Sequence, residues 1–150
     1  MQPTRILPDL QASLLCEDVR QETSGNFILV GVIGVIRVPQ VPITAFKLCI
    51  FNRWTAGIGV FTQNVRLIAP DGIAVLRQNP MRFGLKDASH HAVNVTVFTQ
   101  LEFATAGVYH IEVVVDDVMK LRYPVPVILQ PPPAGAPNPG APPPTPTETQ

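Results

Sequence analysis

The chain has 150 residues, a formal net charge of zero and 46% hydrophobic residues. This charge balance gives no basic patch of the kind that binds nucleic acid. The sequence contains no run of about 20 apolar residues, so no membrane-spanning helix is predicted. Nine of the 17 prolines lie in residues 131–150, so composition divides the chain into a folded domain, residues 6–129, and a disordered or extended proline-rich tail, residues 130–150. The N-terminus lacks the apolar core of a secretory signal, which predicts a soluble cytoplasmic protein.

The folded part shows the period-two alternation of β-strands and no sustained helical spacing. About eight short strands separated by turns predict an all-β, antiparallel, immunoglobulin-like β-sandwich. The first strand covers residues 12–20, and the turn residues 22–26 join it to a second strand in a hairpin.

The second strand, Phe27–Val38 with the sequence FILVGVIGVIRV, is apolar on both side-chain parities. Both of its faces therefore need cover, one from the core and the other from a second layer, another copy or a partner. Glycines 31 and 34 predict a bend within it. The candidate interface residues are Ile28, Val30, Ile33, Val35 and Ile36.

The middle of the chain predicts a third strand over residues 46–54 and a fourth with Val65 and Leu67 on one face and polar residues on the other. The Pro-Asp-Gly turn at 70–72 leads to a fifth strand over residues 73–77. Residues 79–91 are predicted to be a loop. A half-buried strand follows, with Val93, Val95 and Val97 on one face.

The last two strands form a hairpin about residues 116–117. Pro124 and Pro126, two residues apart, remove amide donors from one side of the final strand, which predicts that half of the strand is a free edge. Tyr109, just after Gly107, fits either the corner tyrosine of immunoglobulin-like domains or a plain core aromatic, and both interpretations remain open.

The folded part contains four short motifs in the order C-[DE]-D-[IV]-R, L-x-G, K-L-C and G-x-Y. The matching residues are Leu15 to Arg20, Glu22, Gly25, Leu29, Gly31 and Lys47 to Cys49, with the G-x-Y strand near the end of the domain. These motifs resemble those of an uncharacterised family of small bacterial or phage β-domain proteins, and the resemblance covers roughly residues 10–129. It implies a single β domain of unknown function and transfers no catalytic residue.

No residue set in the sequence predicts an enzyme, a cofactor or a metal. Glu17 and Asp18 are neighbours in a strand, so their side chains leave opposite faces, and salt bridges around Arg20 are the favoured interpretation. Cys16 and Cys49 are predicted to be buried free thiols rather than a disulfide. The candidate metal ligands are Asp87, His90 and His91, with His110 from another strand. Their spacing does not match known zinc motifs, so a solvated loop is the favoured interpretation.

We therefore expect a non-enzymatic module that assembles with itself or with a protein partner. The alternative is a carbohydrate-type ligand-binding module using Trp54 and Tyr123, although packing in the core or at an interface is favoured for the lone tryptophan. The tail contains two P-x-x-P patterns without flanking basic residues, which favours a linker or solubilising role over recognition by a polyproline-binding domain.

Overall fold

The computed structural model describes residues 4–131, which form two packed β-sheets. The first sheet has the strand order β2-β1-β4-β7 and the second has the order β3-β9-β8-β5-β6. Neighbouring strands are antiparallel except for β3, which runs parallel to β9. No helix in this part of the chain could cross a membrane. The strands are β1 Asp9–Gln21, β2 Phe27–Val32, β3 Ile36–Val38, β4 Ile43–Thr55, β5 Gly59–Ile68, β6 Val75–Leu85, β7 His91–Phe103, β8 Gly107–Val115 and β9 Val118–Leu129.

The predicted immunoglobulin-like sandwich is confirmed by the strand order. Strands β1, β4 and β7 correspond to A, B and E of an immunoglobulin-like domain, and β9, β8, β5 and β6 correspond to G, F, C and C′. Tyr109 near the start of β8 donates its hydroxyl hydrogen to the Thr105 carbonyl oxygen at 2.7 Å. It therefore closes a tyrosine corner and is also a core aromatic, since only 1% of its surface is exposed.

The predicted single strand Phe27–Val38 is wrong, because the chain bends and changes sheet within it. Residues up to Val32 belong to β2 in the first sheet, and residues from Ile36 form β3 in the second. Gly31 adopts a positive φ of 64°, a conformation that glycine reaches without steric cost. The bend predicted at the glycines is present, and it raises the number of strands from eight to nine.

The predicted loop over residues 79–91 is also wrong, since most of it belongs to β6. Pro80 suggested a chain break, yet it lies opposite Asn64 in an edge strand that pairs with β5 alone. An edge strand tolerates proline because one side of its backbone has no ladder to complete. The predicted fifth strand is β6 of the structure, and it begins at Val75 rather than at residue 73. The predicted loop shrinks to residues 86–90.

Strand β7 buries the face opposite to the one that its valines suggested. Asn94 and Thr96 point into the sandwich with Phe98, whereas Val97 is 45% exposed on the outer face. Asn94 finds a hydrogen-bond acceptor in the core, described below. The alternation of valines therefore predicted the strand correctly, but it did not predict which face of the strand is buried.

The outer edge of β9 is only partly paired. β3 covers it over Val127–Leu129, so Pro124 lies on a stretch without a second neighbouring strand among the described residues. The proline-rich tail predicted for residues 130–150 lies outside the described residues from position 132 onward.

Candidate functional site

The β1–β2 hairpin folds back over the outer face of the first sheet. The rings of Phe27 and Phe51 meet edge to face, with centroids 5.8 Å apart. Phe51 is the register partner of Leu14, whereas Phe27 is the partner of Gln21, seven residues further along β1. That separation would be about 23 Å in a straight strand. The end of the hairpin must therefore arch over β4, and we name residues 19–29 the hairpin flap.

Burial along β4 shows what the hairpin flap covers. Four consecutive residues, from Leu48 to Phe51, are all buried. Because successive side chains of a strand point to opposite faces, both faces of β4 are covered there. The sandwich core covers Leu48 and Ile50, and the flap covers Cys49 and Phe51.

An acidic residue and a glycine hold the bend at which the flap leaves the sheet. Asp18 accepts hydrogen bonds from Lys47 Nζ at 2.7 Å and from Arg20 Nε at 3.1 Å, and these two cations lower the pKa of Asp18 to about 2. The Glu17 side chain occupies the space that a Cβ at Gly31 would need, only 2.6 Å from that position. Asp18 thus forms the predicted structural salt bridges, and Glu17 has no ion-pair partner among residues 4–131.

Cys16 and Cys49 are register partners on β1 and β4. Both are free and buried, with 0% and 2% of their surface exposed, which confirms the prediction of buried free thiols. Burial raises the pKa of both thiols. The pair is therefore poorly suited to nucleophilic chemistry, which requires an accessible thiolate.

A cleft of about 370 Å³ opens between the tip of the flap and strands β4 and β7. Arg53 in its wall is half-buried, and its Nε atom is buried without a hydrogen-bond partner. No acidic side chain lines this cleft, and none among the described residues lies within ion-pairing distance of Arg53. The lining residues are Gly25, Asn26, Phe27, Phe51, Arg53, His91 and Val93.

The five predicted interface residues do not form one surface. Ile28 is 44% exposed on the flap, and Val30 is half-buried beside it. Ile33 and Ile36 instead pack against the sandwich core, because the bend carries them from one sheet toward the other. Val35 lines a second, smaller cleft of about 260 Å³ beside this bend.

The two predicted ligand contacts are not presented to a ligand. Trp54 is completely buried, and its indole N–H is donated to Gln63 Oε1 at 2.7 Å. Tyr123 is half-buried, with its hydroxyl oxygen 3.2 Å from Ser13 Oγ, and burial raises its pKa. The favoured interpretation of Trp54 as a packing residue fits this position, and neither ring offers the exposed platform that a carbohydrate would need.

The core around Trp54 contains a polar cluster that the sequence did not reveal. Gln63 is completely buried, and its Oε1 atom accepts hydrogen bonds from Trp54, Asn52 and Asn94, the last two at 3.2 Å. An indole can only donate, so Trp54 fixes the orientation of the Gln63 amide. The alternation of β5 contained the signal, since Gln63 shares the parity of the apolar Val65 and Leu67.

The residues considered for metal binding do not converge. His90 Nε2 lies 3.7 Å from a carboxylate oxygen of Asp87 in a solvated loop. His91 belongs to the cleft beside Arg53, and His110 lies in β8 of the other sheet. Among residues 4–131, no three His, Cys, Asp or Glu side chains are placed to hold one ion.

Comparisons with known proteins include a family match over most of the domain, a similarity to an enzyme and a similarity to a solved domain. A 71-residue stretch is 30% identical to an NAD-dependent malic enzyme of Schizosaccharomyces pombe, and it spans 47% of this chain but 13% of that protein. The CARDB domain of a Pyrococcus furiosus protein, solved in complex with di-metal ions, is similar with a TM-score of 0.42 and 20% identity, over 85% of this chain and 95% of that one. Residues 11–128 match DUF6941, described as a family of unknown function, and the chain therefore belongs to that family.

Proposed function

We propose that this domain is a non-enzymatic interaction module in which strand β2 of one copy pairs with β2 of a second copy. The observation that carries the proposal is the composition of the sheet edges. β2 is an edge strand with the sequence FILVGV, and it pairs with β1 alone. Natural edge strands are usually guarded by charges, prolines or bulges, since their free backbone groups invite another strand.

The other three sheet edges carry such guards. β3 contains Arg37, and β6 contains Pro80 between two arginines. β7 contains Glu102, and Arg77 donates hydrogen bonds to the carbonyl oxygens of residues 99 and 100, both at 2.9 Å. Of the four edge strands in the described region, β2 is the one without a charged residue or a proline.

The side chains of β2 favour a second copy of the chain as the occupant. Ile28 and Val32 are 44% and 57% exposed, so strand pairing would cover apolar surface as well as backbone. Antiparallel β2–β2 pairing about a twofold axis places this uncharged segment opposite itself. The formal net charge of zero adds no long-range repulsion between copies.

Sedimentation velocity of the full chain tests the proposal. We expect a dimer for the wild type and a monomer for Ile28→Lys, because a lysine on each strand would place like charges in the new pair. Val60→Lys is the matched control, since Val60 is 51% exposed on the second sheet, and this variant should remain dimeric. Circular dichroism checks that both variants fold. A monomeric wild type at high concentration, or equal loss of the dimer in both variants, would refute the proposal.

A further inference from the structure

The cleft under the hairpin flap has the chemistry of an anion site with an apolar wall. Its one charged side chain is Arg53, and no carboxylate lines it. The Arg53 side chain is half-buried in the wall and makes no ion pair among the described residues. A bound anion would supply the partner for its guanidinium.

The geometry points to a small organic carboxylate with an aromatic or other apolar body as the ligand of this cleft. A guanidinium presents parallel N–H groups that match the two oxygens of a carboxylate. His91, whose strand partner Thr55 lies two residues beyond Arg53, adds an imidazole that can donate a further hydrogen bond. One arginine balances one carboxylate, whereas a phosphate dianion would keep uncompensated charge against the apolar wall.

The remaining walls define the body of the ligand. Phe27 from the flap and Phe51 from β4 meet at an interplanar angle of 65°, and Val93 continues the apolar surface onto β7. The volume of about 370 Å³ lies within the range of small-molecule sites. The flap thus closes over the apolar part of the ligand while Arg53 binds its charged end.

Titration of the ¹⁵N-labelled full chain by NMR tests the assignment, with phenylacetate as the probe and phenylacetamide as its neutral isostere. We expect saturable chemical-shift changes for backbone amides around the cleft on addition of phenylacetate. Phenylacetamide should bind at least about tenfold more weakly, because the charge-assisted pair is lost. Arg53→Gln should weaken phenylacetate binding by a similar factor. Arg82→Gln, which alters an exposed arginine on the second sheet, should leave binding unchanged.

The comparison of the two probes on the wild type stands even if Arg53→Gln fails to fold. N-acetylphenylalanine, whose carboxylate resembles the end of a peptide, distinguishes the two sources of such a group. Binding tighter than that of phenylacetate assigns the site to a chain terminus, and weaker binding assigns it to a free small molecule. Absence of saturable shifts, shifts elsewhere on the domain, or equal binding of phenylacetamide would overturn the assignment.

Discussion

Replacing Gln63 with leucine is the sharpest test of how the sandwich core is held together. Gln63 Oε1 is the acceptor for Trp54 Nε1 and for the side-chain amides of Asn52 and Asn94. Trp54, Asn52 and Gln63 have no exposed surface, and Asn94 is 7% exposed. Leucine keeps most of the volume of glutamine but accepts no hydrogen bond, so all three donors would lose their partner at once.

The expected loss follows from the number of stranded donors. Each buried donor without a partner costs about 1–3 kcal/mol, so three of them cost at least about 3 kcal/mol. The apolar leucine side chain returns on the order of 1 kcal/mol through its own burial. The substitution also removes Gln63 Nε2, which is itself buried without a hydrogen-bond partner, and this returns about 1–3 kcal/mol. We therefore expect the free energy of unfolding to fall by about 1–5 kcal/mol, against the roughly 5–15 kcal/mol that stabilises a domain.

Urea unfolding followed by fluorescence measures this loss directly, because Trp54 is the chain's one tryptophan and lies within the cluster. Gln78→Leu is the matched control, since Gln78 is exposed on the same sheet and accepts one hydrogen bond, from Asn64, at 3.2 Å. The control should change the free energy of unfolding by no more than about 0.5 kcal/mol. A loss of less than about 1 kcal/mol in Gln63→Leu would show that the three donors do not depend on Gln63.

Two further predictions concern the base of the hairpin flap. The pKa of Asp18 is lowered from 3.8 to about 2, so its carboxylate stabilises the fold above about pH 4, and this contribution disappears as the pH falls toward 2. Asp18→Asn should therefore lower the free energy of unfolding at neutral pH and flatten its dependence on pH between about 4 and 2, as measured by urea titrations across that range; parallel profiles for the two proteins would contradict this. Cys16 and Cys49 should react with a thiol reagent such as DTNB only as fast as the flap or the whole domain opens, because both thiols are buried and their pKa values are raised. Rapid reaction of the native protein, at a rate equal to that in denaturant, would contradict the burial.

Periodicity predicted the strands well wherever one face of a strand is apolar and the other polar. The hairpin of β8 and β9 is of this kind, and its turn lies at Asp116 and Asp117, where the structure has it. The pattern failed where a strand lies at an edge or crosses between sheets. Pro80 resembles a chain break unless the neighbouring strand is known to lie on one side only, and that is a property of the whole sheet rather than of residues 79–91.

The candidate site was less predictable because it depends on the hairpin folding back. Arg53 shares its parity with Cys49 and Phe51, so the sequence could indicate a cation on an apolar face. It could not indicate that Phe27, far away along the hairpin, returns to meet Phe51. Likewise, β7 alternates valine with polar residues, and the amide of Gln63 in the opposite sheet explains why Asn94 faces inward.

The hairpin flap explains why one face of β2 is apolar, but it does not explain why the opposite face is apolar as well. Phe27 faces the sheet and helps to bury β4, and Leu29 shares its parity. A strand that had only to cover β4 would carry polar residues at the alternate positions. Ile28 and Val32 occupy those positions instead, and both are at least 44% exposed. Since the domain already packs without them, these exposed apolar side chains support the proposal that places the assembly surface on β2.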